Sequence, residues 1–188
     1  MDQTQLNEAT YLSLGRFVVT FSGLIHALIT SKIHLAFTFP YGAAYEPESV
    51  RLNSLTAGPL VFEFIAAFKN KWDELISAED LAIIECLNEE LLALISERNR
   101  MMHDIWLSKT IGGHPGPHSF VRAGYNKTAA GSQYHNLDIY PDDIEPYTQT
   151  AKRLMNVVNC IAFYHRPGQT TPELSGRISL QNDTVSRM

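Results

Sequence analysis

Apolar residues recur at helical spacing in four long stretches of this chain. Over residues 7–39, Leu14, Phe17, Phe21, Leu24, Ile25, Leu28 and Leu35 share one broad helical face. Val18, Ile29 and Ala36 widen that face, which predicts a helix touching more than one neighbour. Pro40 stops it, because a proline lacks the backbone N–H the next turn needs. Residues 41–54 carry Gly42 and Pro47 and predict a loop or a partly ordered segment. A second helix is predicted over 59–76, with Pro59 suited to a first turn. Its apolar side is Val61, Phe64, Ile65, Phe68, Trp72 and Leu75. Glu63 falls opposite that side with Asn70 and Glu74, on a solvated face.

A third helix is predicted from residue 78 or 79 to residue 106. Ser77 is its N-cap candidate, and Glu79 and Asp80 put negative charge at the positive end of the helix dipole. Ile84, Leu87, Leu91, Leu94, Ile95, Met102 and Ile105 form its stripe. The character then changes. Gly112, Gly113, Pro115, Gly116, Pro117, Gly124 and Gly131 break any helix over 109–138. Within that span SFVRAGY (119–125) and YHNLDIY (134–140) predict a small β-hairpin across NKTAAGSQ. A last helix is predicted from Pro141 or Asp142 to residue 164, through Tyr147, Ala151, Leu154, Val158 and Ile161. Asp142 and Glu145 have capping-box spacing. Residues 167–188 are polar without a clear period and predict a flexible tail. The expectation is therefore an all-α domain over 1–166. Its core is a bundle of about four main helices, with a β-hairpin inserted before the last.

Length and charge narrow the function classes. A chain of 188 residues is one ordinary domain and can bury a core without disulfides. Lys and Arg number 15 against 20 Asp and Glu, and the formal charge of -5 argues against a protein that coats nucleic acid by net charge. A local basic site remains open. Cys86 and Cys160 both fall in helical stretches, so a reducing cytoplasm is expected rather than a disulfide scaffold. The first five residues show neither the basic nor the apolar run of a secretory leader. The stretch 17–39 is long enough to span a bilayer, but it carries Thr20, Ser22, His26, Lys32 and His34. A long core or interface helix is the first reading, and a membrane span is the alternative.

The chemistry concentrates in ISERNRMMHDIW, residues 95–106. On the helical wheel Leu87, Leu91, Met102 and Ile105 surround Arg98, which therefore sits in the middle of an apolar stripe. A guanidinium there needs a carboxylate, backbone carbonyls, or a cleft that receives an anion. Asn99 and His103 are four apart and stack on one side of the same helix. Arg can hold phosphate oxygens bidentately and stabilise a transition-state charge. His can move a proton near neutral pH. Asn can orient the imidazole or hold a substrate. On spacing alone, a structural helix with a satisfied arginine is the stronger reading.

The run Arg98-Asn99-Arg100-Met101-Met102-His103 resembles the signature of the HEPN superfamily: Arg, a polar residue often Asn, three further residues, then His. The flank ERNRMMHDIW is similar to a run found in uncharacterised bacterial HEPN-like proteins. The resemblance implies a helical bundle that dimerises, with two motifs meeting to form one metal-independent endoribonuclease site. It implies no cofactor. It assigns Arg98 and His103 as the catalytic pair and Asn99 as the supporting polar residue. RNA is then the substrate, an antitoxin or regulatory protein a partner, and a toxin or phage-defence role the setting. The implied step is attack of a ribose 2′-OH on the adjacent phosphate. Two departures stand out. Asp104 follows the His where Gly is frequent, and it either pairs with Arg100 four residues earlier or repels RNA. Ile105 stands where some toxin members carry a modifiable Tyr. The alternative is a non-catalytic HEPN-like module that binds a partner protein or a nucleotide.

Other residues point to structure. His114 and His118 lie in a Gly/Pro-rich stretch read as a surface loop, without the further ligands of a zinc site. His26 and His34 read as packing or surface residues. Lys32 falls in the apolar stripe of the first helix and is expected to snorkel. Cys86 reads as a buried, inert thiol. No nucleophile elbow, phosphate loop or metalloprotease helix is present.

Overall fold

A computed structural model describes residues 3–37, 42–103, 105–111, 114–128, 131–163, 173–181 and 184–188. The chain is mostly helical, with a small antiparallel β component. In order it forms α1 (Gln3–Ala36), α2 (Tyr45–Asn53), α3 (Ala57–Trp72), α4 (Ala78–His103), β1 (Ile105–Ile111), β2 (His114–Thr128), β3 (Gly131–Ile139), α5 (Pro141–Phe163), β4 (Ile178–Gln181) and β5 (Thr184–Arg187). The chain divides into two compact units, residues 1–20 with 96–149 and residues 21–95 with 150–188.

The first unit holds the start of α1, the end of α4, the sheet β1–β2–β3 and the start of α5. Phe17 is fully buried and its ring meets that of Tyr147 at 6.2 Å between centroids. Met101 and Ile144 are buried as well. The sheet is antiparallel in the order β1-β2-β3. Trp106 lies opposite Arg122, and Arg122 opposite Leu137, before a register shift between Ser108 and Thr110. The expected hairpin is present and longer than the pattern predicts. Thr128 pairs with Gly131, so most of NKTAAGSQ is strand. His114 and His118 fall in β2 rather than in a loop, and their side chains lie outside the described residues.

Three further expectations in this unit need correction. The α4 helix stops at His103, and Ile105 and Trp106 belong to β1. β-Branched residues crowd a helix and suit a strand, and Ile105, Thr110 and Ile111 begin and end this one. The stripe near the end of α4 runs through Met101, which is 2% exposed, while Met102 is 43% exposed. The cap of α5 is not the Asp142–Glu145 pair. Instead Tyr140 N–H donates to Asp143 Oδ2 at 2.8 Å, and Asp143 N–H donates back to Tyr140 O at 3.1 Å. Pro141 occupies the first turn, where its missing N–H costs nothing.

The second unit carries the larger core. Phe21, Leu24 and Leu28 of α1 are buried, as are Leu60, Phe64 and Phe68 of α3. Leu87 and Leu91 of α4 and Leu154 and Val158 of α5 join them. Each such side chain contributes about 1.5–3 kcal/mol on burial. Ser31 Oγ donates to Val158 O at 3.3 Å, so the buried hydroxyl of α1 is satisfied on α5. Gln5–Ala36 is long and apolar enough to cross a membrane, with a mean hydropathy of 1.6. Of its most apolar window, 33% is buried inside the protein.

Three expectations differ here. The stretch 41–54 contains α2, because Pro47 sits in its first turn and Glu46 and Glu48 favour the helix dipole there. The 3-10 turn Asp73–Leu75 closes α3 early. Asp73 has φ 32°, which a continuing helix cannot accommodate, and Leu75 points to solvent. Residues 173–188, read as a polar tail, form at their described positions a 3-10 turn (Leu174–Gly176) and the antiparallel pair β4–β5. Leu174, Ile178 and Val185 are buried.

Candidate functional site

The motif RNRMMH occupies the last turns of α4. That helix starts cleanly. Ser77 Oγ accepts from Asp80 N–H at 3.0 Å, the N-cap bond the sequence predicts. Asp80 is itself buried and its Oδ1 accepts from Ser175 N–H at 2.9 Å. Further along, Leu87, Leu91, Leu94 and Met101 are buried at spacings of four, three and seven residues. Arg98 fills the gap between Leu94 and Met101 and is half-buried. Its place after Leu87 and Leu91 follows the wheel, but of the other two neighbours the wheel gives it Met102 is exposed and Ile105 belongs to β1.

Arg98 Nη1 donates to Asn99 Oδ1 at 3.1 Å. Asn99 and His103 are both exposed, four residues apart on one side of the helix. Asn99 therefore orients the guanidinium. Arg100 pairs with Glu97, Nη1 to Oε1 at 2.7 Å, while Asp104 lies outside the described residues. His103 is the final residue of α4, and Arg100 joins it in the last turn, where positive charge suits the negative end of the dipole. The β1 strand begins two residues later. The motif thus sits where α4 gives way to the sheet, with two polar side chains open to solvent beside a partly sheltered arginine.

Sequence reasoning missed a second polar cluster, in the other unit. Lys32 of α1 is 8% exposed and forms an ion pair with Glu48 of α2. It does not snorkel. Arg51 Nε donates to Glu48 Oε2 at 2.7 Å, and Arg51 also reaches Glu63 of α3, Nη2 to Oε2 at 3.0 Å. Burial pushes the Lys32 amine below its ordinary range, against the pull of Glu63. The bond from Arg51 holds the Glu63 carboxyl below the usual range. Glu63 is more than a third exposed at its side chain, as a solvated face predicts, and what the sequence missed is its pairing with Arg51. The available signals were a Lys inside an apolar stripe and a Glu inside VFEFI.

The cysteines carry little chemistry. Cys160 is buried, and burial pushes its thiol up. Cys86 is half-buried, with Sγ 3.9 Å from Glu90 Oε1. His34 Nδ1 bonds Thr30 O at 2.7 Å, and His26 is exposed.

No family model, curated protein or solved structure matches this chain.

Proposed function

We propose that the chain is a HEPN-like endoribonuclease of the cytoplasm that works without a metal, in a toxin or phage-defence setting. The observation that carries this reading is the state of the motif on α4. Arg98 is half-buried and bonded to Asn99, and His103 is exposed on the side of Asn99. A guanidinium oriented by an amide can meet two phosphate oxygens, and an exposed imidazole can reach a ribose.

In the proposed reaction His103 takes the proton from a ribose 2′-OH, and that oxygen attacks the adjacent phosphorus. Arg98 stabilises the added negative charge on the phosphorane. The bond from phosphorus to the 5′-oxygen breaks, and that oxygen takes a proton from His103, which acts as acid after acting as base. The products are a 2′,3′-cyclic phosphate and a 5′-hydroxyl. In this reading a second copy supplies a second Arg98–Asn99–His103 set, and the two sets share one RNA.

The test is cleavage of a mixed RNA pool by purified protein in EDTA, wild type beside His103→Ala. EDTA-resistant cutting that disappears in the folded variant supports the proposal. Cutting that persists unchanged removes it. If wild type binds RNA or a protein partner without cutting, the non-catalytic module is the better reading, and the net charge of -5 favours a protein partner for it.

A further inference from the structure

The C-terminal part of α1 and the middle of α3 enclose an open cleft of about 400 Å3. That is the lower part of the range for small-molecule sites, about 300–1,000 Å3. Leu35, Ala66 and Ala67 give it an apolar wall, and the alanines leave the space that larger side chains would fill. Lys32, Glu63, Asn70 and Lys71 bring polar groups to the same cleft.

The charges do not balance. Lys32 is neutralised by Glu48 and Glu63 by Arg51, and neither Glu48 nor Arg51 lines the cleft. Lys71 has no carboxylate within ion-pair distance among the described residues. Its nearest described aromatic contact is the Trp72 ring, with Nζ 6.0 Å from the centroid. Partial burial pushes the Lys71 amine below its ordinary range, although the residue as a whole is exposed. One positive charge is left at a cleft that Leu35, Ala36, Ala66 and Ala67 also line. Glu63 at the same cleft disfavours a dianion.

We infer that this cleft binds a small monocarboxylate with an aliphatic chain. The carboxylate pairs with Lys71 and accepts from the Asn70 amide, and the chain lies on Leu35, Ala66 and Ala67. The inference rests on residues of one unit alone and is independent of RNA cleavage.

Isothermal titration of the full chain with hexanoate tests it, beside hexanol and inorganic phosphate. Hexanoate is expected to saturate with a Kd of about 0.1–1 mM, given its few heavy atoms. Hexanol and phosphate should each bind about tenfold more weakly or not at all. Lys71→Gln, at an exposed position, and Ala67→Leu, which fills the cleft, should each weaken hexanoate about tenfold, and Lys71→Arg should retain it. Circular dichroism checks that each variant is folded. The inference is overturned by no saturation at about 10 mM hexanoate. It is equally overturned by hexanol binding as well as hexanoate, by phosphate binding better, or by a Lys71→Gln protein that binds as wild type does.

Discussion

Arg153 of α5 meets Glu90 of α4 across 63 residues of chain, Nη1 to Oε1 at 3.2 Å, and the two together grip β5. Glu90 Oε1 accepts from Val185 N–H at 2.8 Å, and Arg153 donates to Val185 O. Both side chains are largely sheltered, at 26% and 16% exposed. The pair supplies the hydrogen bonds that β5 needs where it packs on the helices, and Val185 is buried beside it.

Glu90→Ala should therefore release the C-terminal hairpin before it unfolds the rest. Removing one partner of a sheltered, hydrogen-bonded pair costs about 2–4 kcal/mol. Amide exchange at Ile178–Gln181 and Thr184–Arg187 should accelerate, while amides within α3 stay protected. Equal acceleration in both places would show that the hairpin has no separate opening.

Ser77 bonds the Asp80 amide, and no second side chain caps α4 in its place among the described residues. Ser77→Ala should cost about 1 kcal/mol. Ser77→Asp should preserve stability, since a carboxylate accepts the same bond and suits the dipole. Urea denaturation of the three proteins at neutral pH reads the difference as a change in midpoint at constant slope.

The long helices were legible because their stripes persist over many turns. Leu87, Leu91 and Leu94 repeat at helical spacing, and burial follows the pattern. What failed was information that a single element does not carry. Glu63 looks solvated on the wheel of its own helix, and only Arg51 from α2 makes it a paired residue. Ile105 extends the α4 stripe in sequence, yet its backbone pairs with Ala123 in β2. The C-terminal hairpin did leave a signal. Apolar Ile178 and Leu180 alternate and Val185 follows, but the polar average of the segment hid them. For the motif, the wheel set Arg98 in line with Leu87 and Leu91 but gave it Met102 and Ile105 as further stripe neighbours, which the helix end and β1 take away. The catalytic roles of Arg98, Asn99 and His103 came from the resemblance, and spacing alone could not supply them.

The Arg51–Glu63 bond makes stability depend on pH. The Glu63 carboxyl is held below its ordinary value of 4.5, chiefly by the hydrogen bond from Arg51. A depressed folded-state value stabilises the fold above the unfolded value, and this contribution is lost as pH falls through the lower one. Acidification from about pH 5 to about pH 3 should thus lower Tm more steeply in wild type than in Glu63→Gln. Both side chains are more than a third exposed, so salt should shrink the difference. Parallel acid limbs in the two proteins would count against the bond.

Thr148 is 2% exposed, and its Oγ1 has no hydrogen-bond partner among the described residues. A buried hydroxyl without a partner has lost water and gained nothing. Thr148→Val keeps the shape and removes the polar atom. It should raise stability by about 1 kcal/mol, read from thermal unfolding. A loss of similar size would reveal that the hydroxyl is bonded in solution.

Arg98 separates a catalytic motif from a structural one, because its half-buried place on α4 suits both. Under the proposed reaction, Arg98→Ala should reduce RNA cleavage by at least about 100-fold, since the phosphorane loses its charged donor. Arg98→Lys should not restore it, because an ammonium lacks the planar fork that meets two phosphate oxygens. Tm should change little in either variant if the role is catalytic, and Asn99, the described partner left behind, is exposed and can turn to water. A framework arginine behaves in the opposite way. Its loss would cost about 3 kcal/mol by stranding whatever it neutralises, and cleavage per folded molecule would persist. Measuring both quantities on the same preparations decides between the two, since each reading commits to a different one changing.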